Sequence, residues 1–412
     1  MTAPAPIDPT GRCFVSYRRS RLTEIRQIIA ALHDHGIPTW QDLTDLHEEP
    51  LEPALRAALA DPGTASAVLW ITPDVADSPV MTGIEIPMLT DRAERGDGFY
   101  LVPVAAGGLD YTNAARTALA RTTLNDFGTW NLARVHHDPI TDDDATAIAR
   151  RVLARRVAAV NTTIPAEAPL VIDMYTRGPV VHRPDAALTV DLTHRFDGRH
   201  AHAGAWHAHV LPALNAIADE SARRAPGRLL RFRGLVGLPA AVALGTTLLA
   251  PRAVLAAWMQ HTPGRPDTAY CLAEPRRHSN FHIAIRDHQP DGEDLAVLIN
   301  VSENTIPAVR ATSGLPEFRG WVYANPPSAH PHFFSEPGEA TDLAHEIIAA
   351  IRTARSRYGR IGDLHLFIAG PAGLAFLLGQ LLNTLGTVHT YEHVTDHGIG
   401  HYHPAVAFQP SG

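Results

Sequence analysis

Every basic residue in this chain is arginine. The 35 cationic side chains include no lysine, and 43 acidic ones leave a net charge of −8. A phosphate-loop lysine, a Schiff-base lysine and a lysine nucleophile are therefore excluded. Phosphate recognition falls to arginine forks, backbone N–H groups and helix N-termini. The negative balance argues against non-specific binding to a nucleic acid polymer or an anionic membrane. The two cysteines, Cys13 and Cys271, are too few for a disulfide framework and too dispersed for zinc. They are expected as free thiols of a cytoplasmic protein. The 24 histidines gather at His200, His202, His207 and His209, and again at His397, His401 and His403. No pair has the HExxH arrangement, so no metal is expected. Ser302 lacks the GxSxG context of a hydrolase nucleophile.

What remains is a repeat. Residues 228–249 read RLLRFRGLVGLPAAVALGTTLL, and residues 362–383 read GDLHLFIAGPAGLAFLLGQLLN. Both spell a strand, a small-residue turn, Pro-Ala, and an apolar helix containing a glycine. Such a turn at the carboxyl end of a strand aims backbone N–H groups outward, where an open α/β sheet takes a phosphate-bearing ligand. The pattern suits two Rossmann-like halves in tandem. The uncharged stretch Leu235 to Pro251 is shorter than the ~20 residues of a membrane span and reads as a buried helix.

The elements around these residues alternate from the start. Arg12 to Tyr17 is an apolar strand. Leu22 to His35 carries Ile25, Ile28, Ile29 and Leu32 at helical spacing, and Gly36 ends it. A strand over Ile37 to Trp40, a helix over Leu51 to Leu59 and a buried strand over Ala67 to Ile71 follow. A helix is predicted over about 82–95, then a strand from Tyr100 to Ala105. This rhythm over residues 1–137 means a doubly wound α/β domain. Glu85, taken alone, is a solvated acid in the first turn of its helix, favourable at the positive dipole end. Residues 138–167 read as a connecting helix and linker, with Asp142, Asp143 and Asp144 in the first turn and Arg155 and Arg156 in the last. The N-terminal segment has no apolar core of the secretory type, so no leader is expected.

Residues 1–137 resemble a TIR domain, a flavodoxin-like parallel sheet with helices on both faces. Phe14-Val15-Ser16-Tyr17 is similar to that family's opening strand, and Ile37-Pro38-Thr39-Trp40-Gln41-Asp42 to its second strand entering the BB loop. Met81-Thr82-Gly83-Ile84-Glu85 falls where NAD+-cleaving members carry tryptophan, cysteine, two residues and the catalytic glutamate. The resemblance implies Glu85 as the catalytic carboxylate, with Tyr17, Arg18, Trp40 and Asp45 beside the substrate. Met81 and Thr82 depart from the family's pattern, and the BB loop lacks its Pro-Gly.

Residues 168–412 resemble a SAVED domain, built of two fused CARF-like Rossmann halves. The matching pieces are Arg231-Phe232-Arg233-Gly234, Gly237-Leu238-Pro239-Ala240, residues 364–379 and Tyr391-Glu392-His393. The pair resembles a TIR–SAVED effector of bacterial cyclic-oligonucleotide anti-phage signalling (CBASS). It implies NAD+ as substrate, no separate cofactor, and a cyclic oligoadenylate, cyclic tri-adenylate above all, as activator. It also implies head-to-tail self-association into an oligomer or filament. Arg233, Arg276, Arg277, Gly370, Pro371, Tyr391 and His393 are the candidates for the effector site. Two other readings stay open: a TIR scaffold that only self-associates, and a sensor that cleaves its own ligand. The bases, ring size and linkage of the ligand are not set by the sequence, nor is the choice between ADP-ribose and a cyclic isomer as product.

Overall fold

The computed structural model describes residues 7–40, 51–119, 132–249, 254–262, 264–327, 334–396 and 398–410. The chain divides into two compact units. Unit 1 comprises Met1–Asp173, Val181–Asp191 and Asp219–Pro226, and unit 2 comprises Met174–Val180, Leu192–Ala218 and Gly227–Gly412.

Unit 1 runs β1 (Arg12–Ser16), α1 (Leu22–Asp34), β2 (Thr39–Trp40), α2 (Leu51–Ala60), β3 (Thr64–Ile71), α3 (Ile86–Glu94), β4 (Tyr100–Ala105), α4 (Tyr111–Leu119), β5 (Ala133–Arg134) and α5 (Asp142–Thr163). Strands β1 to β5 form one sheet, all parallel, in the order β2-β1-β3-β4-β5. Strand order reverses between β1 and β3, which makes the carboxyl ends of those strands the crevice where such sheets take ligands. All eight residues of β3 are buried, as expected for a strand covered on both faces. Phe14, Trp40, Leu69, Ile71, Met81 and Ile86 belong to one core cluster.

The helix predicted from residue 82 differs in a way that matters. Residues Met81–Glu85 form a π-helical turn, closed by the Ile86 N–H donating to the Met81 carbonyl, before α3 begins. Pro87 has no N–H to give the Gly83 carbonyl, so the turn widens there instead of continuing as α-helix. The charge assignment on α5 also needs correction. Thr141 caps it in a full capping box with Asp144, but the helix runs to Thr163, so no basic residue lies in its last turn. Arg156 instead sits mid-helix and buried. Its guanidinium donates to the carbonyls of Ala187 at 2.7 Å, Gly11 at 2.6 Å and Thr10.

Strand β6 (Leu170–Tyr175) crosses the division between the units, and β7 (Leu188–Asp191) lies in unit 1. A small hairpin of β8 (Phe196–Asp197) and β9 (His200–Ala201) belongs to unit 2, and α6 (Leu211–Arg224) crosses the division again. Next come β10 (Leu230–Leu235), α7 (Leu238–Thr247), β11 (Ala256–Gln260), β12 (Thr268–Cys271), β13 (His282–Asp287), β14 (Asp294–Asn300), α8 (Ile306–Ala311), β15 (Phe318–Asn325) and α9 (Pro337–Tyr358). β16 (Leu364–Ala369), α10 (Ala372–Leu381), β17 (Val388–Asp396) and β18 (Ile399–Phe408) complete the chain.

The sequence repeat is a structural one. In each half a strand leads through an apolar helix to a parallel partner and then to an antiparallel one. The first series is β10, α7, β11, β12, and the second is β16, α10, β17, β18. The larger sheet has the order β13-β15-β14-β16-β17-β18. The helix glycines are explained by the contact of α7 with α10. A Cβ on Gly245 would lie 2.3 Å from the Phe376 carbonyl oxygen, and a Cβ on Gly379 would lie 2.2 Å from that of Val242. Each glycine meets the carbonyl three residues before the other, so the two helices cross about a local two-fold axis.

Cys13 and Cys271 are free thiols, and burial pushes the Cys13 thiol up to about 11. Among the described residues, no helix is long and apolar enough to cross a membrane.

Candidate functional site

The crevice of unit 1 collects Ser16 from the end of β1, Tyr17 and Arg18 just after it, Asp74 after β3, and Glu85 from the π-helical turn. Glu85 is only 8% exposed, and the Ser16 hydroxyl donates to its Oε2 at 2.5 Å. The solvated acid expected from the sequence is therefore a buried one, carried inward by the widened turn. Arg18 Nε lies 3.7 Å from Asp74 Oδ2. Asp74 also accepts from Thr72 at 2.6 Å and Ser20 at 2.7 Å. Burial opposes its charge, but these hydroxyls outweigh it and hold the carboxyl below its usual range. Tyr17 is buried, and Trp40 stacks on Phe14 at 4.9 Å as part of the core. Asp45, with Gln41, Asp42 and Leu46 of the expected BB loop, lies outside the described residues, as does His397.

Unit 2 has its own pocket, lined by Thr176, Arg177, Arg199, Trp206, Gly237 and Glu392 among others. The turn from β10 into α7 builds one wall. Gly234 has φ +137, and a Cβ there would fall 2.0 Å from the Met174 carbonyl oxygen, so only glycine fits. The Gly237 N–H donates to Thr176 Oγ1 at 2.9 Å. Gly237 also leaves room for the carboxylate of Glu392, since a Cβ there would lie 2.7 Å from Glu392 Oε2. Arg199, carried between β8 and β9, donates to Glu392 Oε1 at 2.8 Å, and Arg177 lies 3.8 Å from the same oxygen. Burial pushes the Glu392 carboxyl up, against the pull of the two arginines. Arg177 is shifted down by burial and then by Arg199, and its buried Nη1 has no hydrogen-bond partner. The two arginines beside the start of α7 carry one positive charge in excess of Glu392.

The residues chosen from the sequence for the sensor do not all meet here. Arg276 grips Asp342 on α9 at 2.8 Å, and Arg277 lies 3.5 Å from Glu336. Tyr391 is buried, stacked on Phe367, and hydrogen-bonded to His365 Nδ1 at 2.7 Å; burial raises its hydroxyl to about 12. That ring offers no open face to a base. His393 lies 3.6 Å from Glu303, and its backbone carbonyl accepts from Arg199 at 3.3 Å. Arg233 alternates outward on β10 and is half-buried. Gly370 packs against Val301, and Pro371 caps α10. Sequence reasoning passed over Arg177, Arg199 and Glu392. The only signal for them was Glu392 standing beside Tyr391 and His393.

Among the described residues, one group of potential metal donors stands together: His278, Asp342 and Glu346. Its oxygens are already engaged. Asp342 accepts from Arg276 Nε at 2.9 Å and the Ser279 N–H at 3.1 Å, and Glu346 accepts from the Ser279 hydroxyl at 3.2 Å. His200 of the first histidine run packs edge-on against His403 of the second, 4.5 Å between centroids.

Residues 213–408 match the family model of SAVED, the SMODS-associated and fused to various effectors sensor domain. The match covers a little under half of the chain. No curated protein matches the chain. Among solved structures, it is similar to the Cap4 SAVED/CARF-domain receptor of Acinetobacter baumannii holding the cyclic trinucleotide 3′3′3′-cAAA: 14% identity, 96% of this chain and 86% of that one, TM-score 0.48. The Cap4 SAVED/CARF-domain receptor of Moraxella osloensis is similar at 12% identity, 96% and 87% coverage, TM-score 0.43. A metazoan TIR-STING receptor from C. gigas, in complex with 2′,3′-cGAMP, is similar at 14% identity, 92% and 99% coverage, TM-score 0.28.

Proposed function

We propose that the chain is a cytoplasmic CBASS-type effector in which a cyclic oligonucleotide, cyclic tri-adenylate above all, binds the sensor half and releases NAD+ hydrolysis in a TIR domain. The observation that carries the sensor reading is the Arg177–Arg199 pair beside the glycine turn before α7; that turn and Glu392 lie inside the segment matched to SAVED, and the two arginines precede it. Arginine forks bind phosphodiesters, and a helix N-terminus adds partial positive charge. Glu85, held by Ser16 at the crevice between β1 and β3, supports the catalytic half. The nicotinamide ring is a pyridinium cation while bound to the ribose and leaves as the neutral base with the bonding electron pair, so it needs no acid; water then captures the ribose carbon and releases a proton. What the transition state needs is negative charge beside an oxocarbenium-like ribose, and one buried carboxylate supplies it. Ser16 orients that carboxylate. Ligand-driven head-to-tail association of two chains would then switch catalysis on, because a heterologous contact propagates.

The test follows a fluorescent NAD+ analogue with purified protein, alone and with cyclic di-, tri- and tetranucleotides. Cleavage with one ligand only is expected. Glu85→Gln is expected to retain the melting temperature and lose ~10²-fold or more in rate. Near wild-type turnover in that variant would remove Glu85 from the chemistry. The low exposure of Glu85 favours one second reading, a TIR scaffold that self-associates without catalysis. Tight binding of one ligand with no loss of NAD+ would establish it.

A further inference from the structure

The two halves of unit 2 differ at a position their repeat makes equivalent. Leu230 of β10 pairs with Ala256 of β11, and Leu364 of β16 pairs with Val388 of β17. Four residues beyond Ala256 is Gln260, and four beyond Val388 is Glu392. Each reaches the N-terminal end of the opposite half's helix. Gln260 Oε1 accepts the Gly373 N–H of α10 at 3.0 Å, whereas the Glu392 carboxylate lies against Gly237 at the start of α7. A neutral amide suffices in one half, and the other half uses a charge between two arginines. The pocket around that charge is nearly full, with about 10 Å³ free, room for about one water. Arg177 Nη1 still lacks a hydrogen-bond partner, so the carboxylate satisfies its surroundings only in part.

We propose that Glu392 is an internal stand-in for a ligand phosphate: the incoming anion displaces its carboxylate from Arg177 and Arg199, and this displacement sets the concentration at which the sensor responds. The proposal rests on the reading that this pocket receives the ligand. A phosphate binds only the fraction of molecules in which Glu392 has swung out, so the apparent Kd is the intrinsic one divided by that fraction. The penalty is the same for every anion. A mononucleotide, with one phosphate, has no further contacts to overcome it. A ring of several phosphates and stackable bases has contacts beyond this pocket, so Glu392 suppresses common nucleotides and still admits the messenger.

Glu392→Gln keeps the size of the side chain, leaves an acceptor for Arg199, and reproduces the residue of the equivalent position. Binding to the full chain is measured for cyclic tri-adenylate, 3′,5′-cyclic AMP and inorganic pyrophosphate. The expected result is that the variant binds all three more tightly by a common factor of about tenfold, the scale of one lost charge-assisted hydrogen bond. Glu392→Asp keeps the charge but shortens the reach to Arg199, and is expected to fall between. Unchanged or weaker binding in Glu392→Gln, with an unchanged melting temperature, would overturn the proposal. So would weakening for the cyclic ring alone, since Glu392 would then touch the ligand directly. If pyrophosphate tightens but no cyclic oligonucleotide binds either protein, displacement stands and the messenger reading falls. If the ring binds both proteins equally, the messenger reading stands and displacement falls. If no anion binds either protein, both fall.

Discussion

Replacing Gly379 with alanine would drive a methyl group into a backbone carbonyl. The new Cβ would lie 2.2 Å from the Val242 oxygen and 2.9 Å from the Gly245 Cα. Ordinary contact needs roughly 3.5 Å, so α7 and α10 must part by about 1 Å where they cross. Neither partner atom is the end of a flexible side chain, and both helices are buried along most of their length, so rotamer changes cannot absorb the shift. A gap of that size forfeits about a quarter to a half of the dispersion energy along the opened seam. Overpacking of this kind costs ~1–3 kcal/mol, with a backbone clash at the upper end, while alanine returns ~1 kcal/mol of helix preference. The net expectation is about 2 kcal/mol of destabilisation. Gly245→Ala should cost about the same by the local two-fold relation. The double variant should cost less than the sum, because one separation makes room for both methyls. Gly83→Ala is the control, with nothing within 4 Å of its Cβ; it should be neutral or stabilise by up to ~1 kcal/mol. Native-state hydrogen exchange on α7 and α10 reads unit 2 separately from unit 1. Gly379→Ala within about 0.5 kcal/mol of wild type would refute the crossing argument.

Arg156→Leu strips the carbonyls of Ala187, Gly11 and Thr10 of their shared donor and should cost unit 1 ~3 kcal/mol or more, measured by urea denaturation. Burial holds the His35 and His365 imidazoles below their ordinary range. The unfolded chain therefore takes up these protons first as pH falls. Stability should be intact above about pH 6.5 and decline below it, read as melting temperature from pH 7.5 to 5; a flat profile would contradict the burial argument. Asp74 and Asp144, whose carboxyls are held low against their own burial, extend the decline below about pH 4. Arg276→Ala breaks a half-exposed pair with Asp342 and should change cyclic-oligonucleotide affinity less than ~3-fold, whereas Arg177→Ala or Arg199→Ala should weaken it ~10-fold or more by titration.

What could be read in advance follows from the range of the interactions involved. The alternation of strands and helices in unit 1 and the two-half repeat of unit 2 are carried by local apolar periodicity, which the residues state directly. The glycines at 245 and 379 were visible as part of that repeat, but their purpose was not. Close approach of two backbones is a property of the pair, and neither segment alone contains it. The burial of Glu85 was hidden for a narrower reason. Its burial depends on one wide turn ahead of Pro87, and a helix assumed to repeat every 3.6 residues places the side chain on the wrong face. Arg276 and Arg277 stand adjacent in the sequence, and the fold pairs them with Asp342 of α9 and with Glu336 just before it. Arg177 and Arg199 lie singly between short strands with no motif around them, and only folding brings them to one carboxylate.

The same contrast shows why the pocket of unit 2 is informative. A repeat predicts that equivalent positions do equivalent work, and Gln260 at the end of α10 meets that expectation with a single amide-to-backbone bond. Glu392 departs from it by carrying charge into a buried place. Removing that carboxylate from water costs free energy which Arg177 and Arg199 offset incompletely, since the carboxyl is still pushed up from its ordinary range. An arrangement serving stability alone would be expected to keep the amide. A buried carboxylate held by two arginines is what the proposed displacement requires, and among the two equivalent positions of the repeat it stands at α7, where α10 has the amide of Gln260.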